Sequence, residues 1–136
     1  MAERPDVPRA LVVDDDEDVR NVMEMTLSRI ARWEVISTDR GATALDLARE
    51  HVPDVILLDL MMPEMDGIET ARRLLADERT RSIPIVLVTA KASIGTHPEP
   101  WVGLGIAGVV SKPFRPRELG DRISDLAGWE PAAQPA

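Results

Sequence analysis

Short apolar runs punctuate the chain at regular intervals: Ala-Leu-Val-Val (10–13), Glu-Val-Ile-Ser-Thr-Asp (34–39), Val-Ile-Leu-Leu (55–58), Ile-Val-Leu-Val-Thr (85–89) and Gly-Val-Val-Ser (108–111). Runs of this length, bounded by turn residues, predict strands. The unbroken run at 55–58 reads as a strand buried on both faces, the kind found in parallel sheets. Between the runs the period changes. From Asp18, the apolar positions Val19, Val22, Met23, Leu27 and Ile30 mark one helical face. Ala42, Leu45 and Leu47 or Ala48 do so in 41–51. Ile68, Ala71, Leu74 and Leu75 do so after the Asp66-Gly67 turn, and Leu119, Ile123 and Leu126 near the end. Pro116 sits in the first turn of that last helix, where a missing N–H is harmless. Alternation of strands with helices predicts an α/β domain with a mostly parallel, doubly wound five-stranded sheet. Right-handed crossovers then point every strand's carboxyl end to one rim, where such sheets bind ligands.

At 136 residues the chain makes one domain, able to bury roughly two-thirds of its unfolded surface. No apolar run approaches the roughly 20 residues of a membrane span, and no leader pattern opens the chain. Without cysteine there is neither disulfide nor thiolate chemistry. A net charge of −8 argues against a nucleic-acid-binding surface, which needs clustered Lys and Arg. His51 and His97 have no zinc-ligand spacing. Residues 1–9 and 128–136 read as flexible tails around a domain spanning 10–127.

The strand ends carry the chemistry. The first strand ends in Asp14-Asp15-Asp16, the third in Asp59, the fourth in Thr89-Ala90 and the fifth in Lys112-Pro113. The register is set at Asp14 and Asp15, rather than Asp15 and Asp16, because the apolar run stops at Val13. Asp16, Glu17 and Asp18 then suit a helix N-terminus. Asp14, Asp15 and Asp59 against Lys112 leave two uncompensated negative charges. A divalent cation offsets such a cluster. All the ligands are hard oxygens, which suits Mg²⁺ or Mn²⁺. Mg²⁺ commonly shares its shell with a phosphate oxygen, so a phosphate is the missing ligand.

Taken in order, "LVVDDDEDVR", "VILLDLMMPEMDG", "IVLVTA" and "SKPF" make the chain resemble the receiver domain of two-component response regulators over roughly residues 10 to 127. The resemblance implies a flavodoxin-like receiver fold and a phosphorylation-controlled switch rather than a substrate-consuming enzyme. By it, Asp59 is the phosphoacceptor and forms an acyl phosphate. Asp15 binds Mg²⁺ directly, Asp14 holds a metal-bound water and faces Lys112, and the backbone carbonyl of Met61 completes the protein ligands. Thr89, Lys112 and the N–H groups of Ala90 and of Leu60 or Met61 hold the phosphoryl oxygens. The implied partners are a sensor histidine kinase or phosphotransfer protein and a downstream protein target. The implied setting is the cytoplasm, as a monomer or weak homodimer without direct nucleic-acid or membrane contact. The short tails favour a stand-alone receiver, with a receiver fragment of a longer transcriptional regulator as the alternative.

The chain departs from that pattern in two places. Pro98, Pro100, Gly103 and Gly105 crowd the segment between the fourth and fifth strands, predicting a short or irregular fourth helix over about 96–104. Val109 stands where the family often has an aromatic residue coupled to the threonine, so the 91–105 segment, with Trp101, is expected to carry the change outward. Met61 and Lys91 predict a shielded, slowly hydrolysing phosphoryl group.

Three other readings fit less well. A haloacid-dehalogenase-type phosphatase also uses Asp, Thr and Lys with Mg²⁺, but needs an acidic strand end after the lysine; Glu118, Asp121 and Asp125 lie on a helix. A non-phosphorylated adaptor would not need the complete site. A flavodoxin-like cofactor binder would need a phosphate loop where this chain has carboxylates.

Overall fold

In the computed structural model, residues 3–60, 62, 66–90 and 101–130 are described. The predicted alternation is realised as β1 (Arg9–Val13), α1 (Glu17–Met25), β2 (Glu34–Thr38), α2 (Gly41–His51), β3 (Val55–Leu58), α3 (Gly67–Ala76), β4 (Ile85–Ala90), β5 (Gly108–Lys112) and α4 (Pro116–Ala127). All strand pairs are parallel, in the order β2-β1-β3-β4-β5. β2 is added on one side of β1, and the chain then crosses through α2 to place β3 on the other. The carboxyl edge between β1 and β3 is therefore the topological switch point, where open α/β sheets bind ligands.

Each face of the sheet is covered by its own layer. Leu11, Val13, Ile56, Leu58, Ile85 and Leu87 pack with Ala44, Leu45 and Ala48 of α2 and Ala71 and Leu74 of α3. The alternate residues Ala10, Val12, Val55, Leu57, Val86 and Val88 pack with Met23 and Leu27 and with Leu119 and Ile123 of α4. That division is the period of two seen from both sides. It explains why β3, buried at all four positions, reads as continuous rather than alternating apolar sequence.

Several details differ from the sequence reading. The first helix does not run regularly to Ile30. It passes into a π-helical turn over Thr26–Ile30, and its buried side is narrower than the apolar spacing implied. Met23 and Leu27 are inside, whereas Val22 and Ile30 are about half exposed, at 48% and 50%. The chain also stays packed against the fold just past residue 127. Gly128 ends α4 in the left-handed conformation (φ 75°), its N–H donating to Asp125 O while Trp129 N–H donates to Ser124 O. This pair of hydrogen bonds is the glycine-terminated close of a helix C-terminus. It turns Trp129 under the sheet, where it is buried against Trp33 with ring centroids 5.6 Å apart. Trp129, assigned on sequence to the C-terminal tail, is core. Between β4 and β5 the described residues 101–107 form a turn and extended chain with no helix, and Trp101 is buried in the α2–α3 layer. The rest of the expected fourth helix, residues 96–100, lies outside the described residues, as do Met61, Pro63, Lys91 and His97.

Candidate functional site

The site begins one residue beyond the strands. Val13 pairs with Leu58, and the ladder continues as Asp59 N–H donates to Val13 O at 3.0 Å. Asp14 and Asp59 are thus the next pair in register, neighbours because β1 and β3 are neighbours. Asp14 is 1% exposed and Asp59 7%, while Asp15 is on the surface. One carboxylate oxygen from each of Asp14, Asp15 and Asp59 lies within 4.8 Å of the other two.

Charge compensation comes from β5. Lys112 Nζ donates to Asp14 Oδ2 at 2.8 Å and lies 3.7 Å from Asp59 Oδ1, so one ammonium spans both buried carboxylates. The Lys112–Pro113 peptide that follows is cis. Asp14 is held at its other polar atoms as well. Its Oδ1 accepts from Asp16 N–H at 2.9 Å, and its N–H donates to Thr38 O at 3.2 Å. Its carbonyl accepts from Arg20 Nη1 at 2.9 Å. Asp16 has the other role weighed for it: it is the N-cap of α1, accepting from Asp18 N–H and Val19 N–H. The acidic run therefore divides between one buried carboxylate paired with Lys112, one exposed carboxylate close to Asp14 and Asp59, and one helix cap.

Thr89 is the next-to-last residue of β4, opposite Ser111 and one step before Ala90 meets Lys112. Its hydroxyl is fully buried and has no hydrogen-bond partner among the described residues. A buried hydroxyl left unpaired is costly, and such atoms in native folds need an explanation. Leu60 is buried beside Asp59, and its carbonyl accepts from Gly67 N–H at 2.9 Å. That bond ties the loop after β3 to the start of α3, which Asp66 caps by accepting from Glu69 N–H. Met61, expected to supply a carbonyl ligand and an N–H, lies outside the described residues.

Beside Lys112 an apolar groove runs along α1, lined by Asp18, Val19, Val22, Pro113, Phe114 and Pro116. Sequence reading placed Val22 in the core and did not find this groove. It also missed Arg20, although a cation in the first turns of a helix, against the macrodipole, is a readable signal.

Among the described residues, the donor set suits a hard divalent cation: three carboxylates, no nitrogen or sulfur ligand, one ammonium beside them, and a buried hydroxyl to spare. Mg²⁺ or Mn²⁺ fits these residues.

Comparison with known proteins agrees with the geometry. The family model of the response regulator receiver domain matches residues 10–124. The polar-differentiation response regulator DivK of Brucella anthropi is 36% identical over 122 residues, covering 90% of this chain and 98% of DivK. Among solved structures, chemotaxis protein CheY4 of Vibrio cholerae superposes with a TM-score of 0.79 at 29% identity, covering 88% of this chain and 98% of that one. The receiver domain of sensor histidine kinase PA1611 from Pseudomonas aeruginosa, solved with a magnesium ion coordinated in its active-site cleft, superposes with a TM-score of 0.79 at 28% identity. It covers 90% of this chain and 98% of that domain.

Proposed function

The chain belongs to the response regulator receiver family, and on that premise we propose that it is a Mg²⁺-dependent switch that accepts a phosphoryl group on Asp59. The observation that carries the reading is the Lys112 ammonium set between buried Asp14 and Asp59, with the Asp15 carboxylate completing a three-oxygen cluster. An Asp59 oxygen attacks phosphorus as the P–N bond of a phosphohistidine donor breaks, and the product is an acyl phosphate. The donor is a sensor histidine kinase or a phosphotransfer protein, and the apolar groove along α1 supports protein docking beside Asp59.

Phosphoryl transfer proceeds through a loose transition state, so these residues act by positioning and by neutralising charge. Asp15, Asp14 and Asp59, with the Met61 carbonyl, would hold Mg²⁺ or Mn²⁺, which when bound supplies positive charge to the phosphoryl oxygens. Lys112 donates to a phosphoryl oxygen on the other side, and the Thr89 hydroxyl, which has no partner among the described residues, donates to another. The N–H groups of Ala90 and of Leu60 or Met61 complete the cradle. Conversion of a carboxylate to an acyl phosphate adds about one negative charge, which Lys112 and the cation absorb. The altered surface is read by a downstream protein in the cytoplasm, through protein–protein contact.

The test is intact mass after incubation with Mg²⁺ and a small phosphodonor. One phosphoryl adduct is expected on the wild type, absent without Mg²⁺ and absent in Asp59→Asn. No adduct on a wild type that still binds Mg²⁺ would point instead to an adaptor, and steady donor turnover through Asp14 or Asp16 to a phosphatase.

A further inference from the structure

Arg20 is the fourth residue of α1, counted from Glu17. A cation there opposes the positive end of the helix macrodipole, so its place needs a compensating contact. The compensation is specific: Nη1 donates to the backbone carbonyl of Asp14 at 2.9 Å from a half-buried position. That carbonyl belongs to the peptide joining Asp14 to Asp15. The Asp14 side chain is held by Lys112 and by Asp16 N–H, so it needs no further restraint. Asp15 differs: its carboxylate is exposed and has no hydrogen-bond partner among the described residues. What directs Asp15 is the plane of the preceding peptide, and Arg20 grips the oxygen of that plane.

From this geometry we propose that Arg20 is a positioning residue for the cation site. It locks the Asp14–Asp15 peptide so that Asp15 is presented to the divalent ion before the ion arrives. The inference rests on the Mg²⁺-site reading above and deepens it. Partners that orient first ligands in this way alter metal affinity by roughly 10- to 100-fold when removed.

The sign of the effect separates positioning from simple charge. As a nearby positive charge, Arg20 repels a divalent cation, and its removal would tighten binding. As a lock, its removal weakens binding because Asp15 must be ordered at the moment of coordination. The experiment is titration of Mn²⁺ by electron paramagnetic resonance, without any phosphodonor, on wild type, Arg20→Met and Asp15→Asn. Thermal unfolding of the metal-free proteins is recorded in parallel. Expected is roughly 10-fold weaker Mn²⁺ binding in Arg20→Met with a metal-free melting temperature close to the wild type, a combination that loss of stability alone does not produce. Unchanged or tighter binding overturns the proposal. If Arg20→Met does not fold, Arg20→Lys answers the same question with the charge kept: weaker binding supports the lock and unchanged binding overturns it. Failure of the wild type itself to bind Mn²⁺ overturns the underlying metal-site reading, and this proposal with it; weakening in Asp15→Asn alone overturns only the role of Arg20.

Discussion

Gly67 couples the stability of the fold to the geometry of Asp59, the proposed phosphoacceptor, and Gly67→Ala separates the two contributions. Gly67 opens α3, and a Cβ added there would lie 2.3 Å from the Asp59 carbonyl oxygen and 2.7 Å from Leu60 Cα. Both obstacles are backbone, so no side chain can swing away. Ordinary carbon–oxygen contact demands a shift of about 1 Å, and short-range repulsion makes such overlap steeply costly. Asp59 resists that shift, since its N–H is bonded to Val13 O. If α3 moves instead, the bond from Gly67 N–H to Leu60 O is lost. Overpacking costs about 1–3 kcal/mol and the lost bond about 1. The better helix propensity of alanine returns up to about 1. The net is a loss of about 1–3 kcal/mol, or a fall in melting temperature of roughly 4–12 °C at this chain length. Where the structure yields by moving Asp59, a displacement near 1 Å should also slow phosphorylation by about 100-fold. The assay is urea unfolding together with the time course of the phosphoryl adduct by intact mass. Gly128→Ala is the control: Gly128 has φ 75° with nothing within 4 Å of an added Cβ. It should lose only about 1 kcal/mol and keep its phosphorylation rate. A Gly67→Ala protein matching the wild type in both midpoint and rate would refute the close-approach reasoning.

Val52 ends α2 in the left-handed conformation at φ 42°, a strained place for a β-branched side chain that is also exposed. Val52→Gly should therefore stabilise the protein by about 1 kcal/mol, read as a higher denaturation midpoint with an unchanged slope. Truncation of Trp129 to Ala should cost about 3 kcal/mol, since its ring is buried against Trp33; thermal unfolding measures it, and a loss below 1 kcal/mol would return residue 129 to the tail. Asp77 accepts from Arg79 N–H and from Arg49 Nε, and these bonds hold its carboxyl at about 2, below the usual 3.8. Its contribution to stability is complete above about pH 4 and is lost as pH falls toward 2, because only the unfolded chain takes up the proton in that window. Asp77→Asn should flatten that part of the acid limb in a pH series of urea midpoints.

Much of the site was legible because strand ends are local features. An apolar run that stops at Val13 puts Asp14 next in line, and the buried run 55–58 delivers Asp59 to the same rim. Lys112 could be promoted from an ordinary lysine only because Pro113 and Phe114 follow a strand in the expected order. Val22 and Ile30 misled, because helical spacing shows which residues share a stripe and not how much of the stripe a neighbour covers. The π-helical turn at Thr26–Ile30 shifts that stripe further. Trp129 follows the last helix at once, and the turn at Gly128 that returns its indole to the core depends on where α4 ends.

By itself, then, the sequence determined the order of strands and helices, the parallel sheet and the identity of the residues at each strand's carboxyl end. These follow from periodicity and turn chemistry within a few residues. Tertiary structure decided what those residues do to one another. Lys112 meets Asp14 across 98 positions of chain. Of three consecutive aspartates, one is buried against Lys112, one is left exposed beside the buried pair and one is used as a cap. That assignment depends on the register of β1 between β2 and β3 and on where α1 begins. Both are set by packing the two layers against the sheet, a long-range free energy that no local pattern encodes.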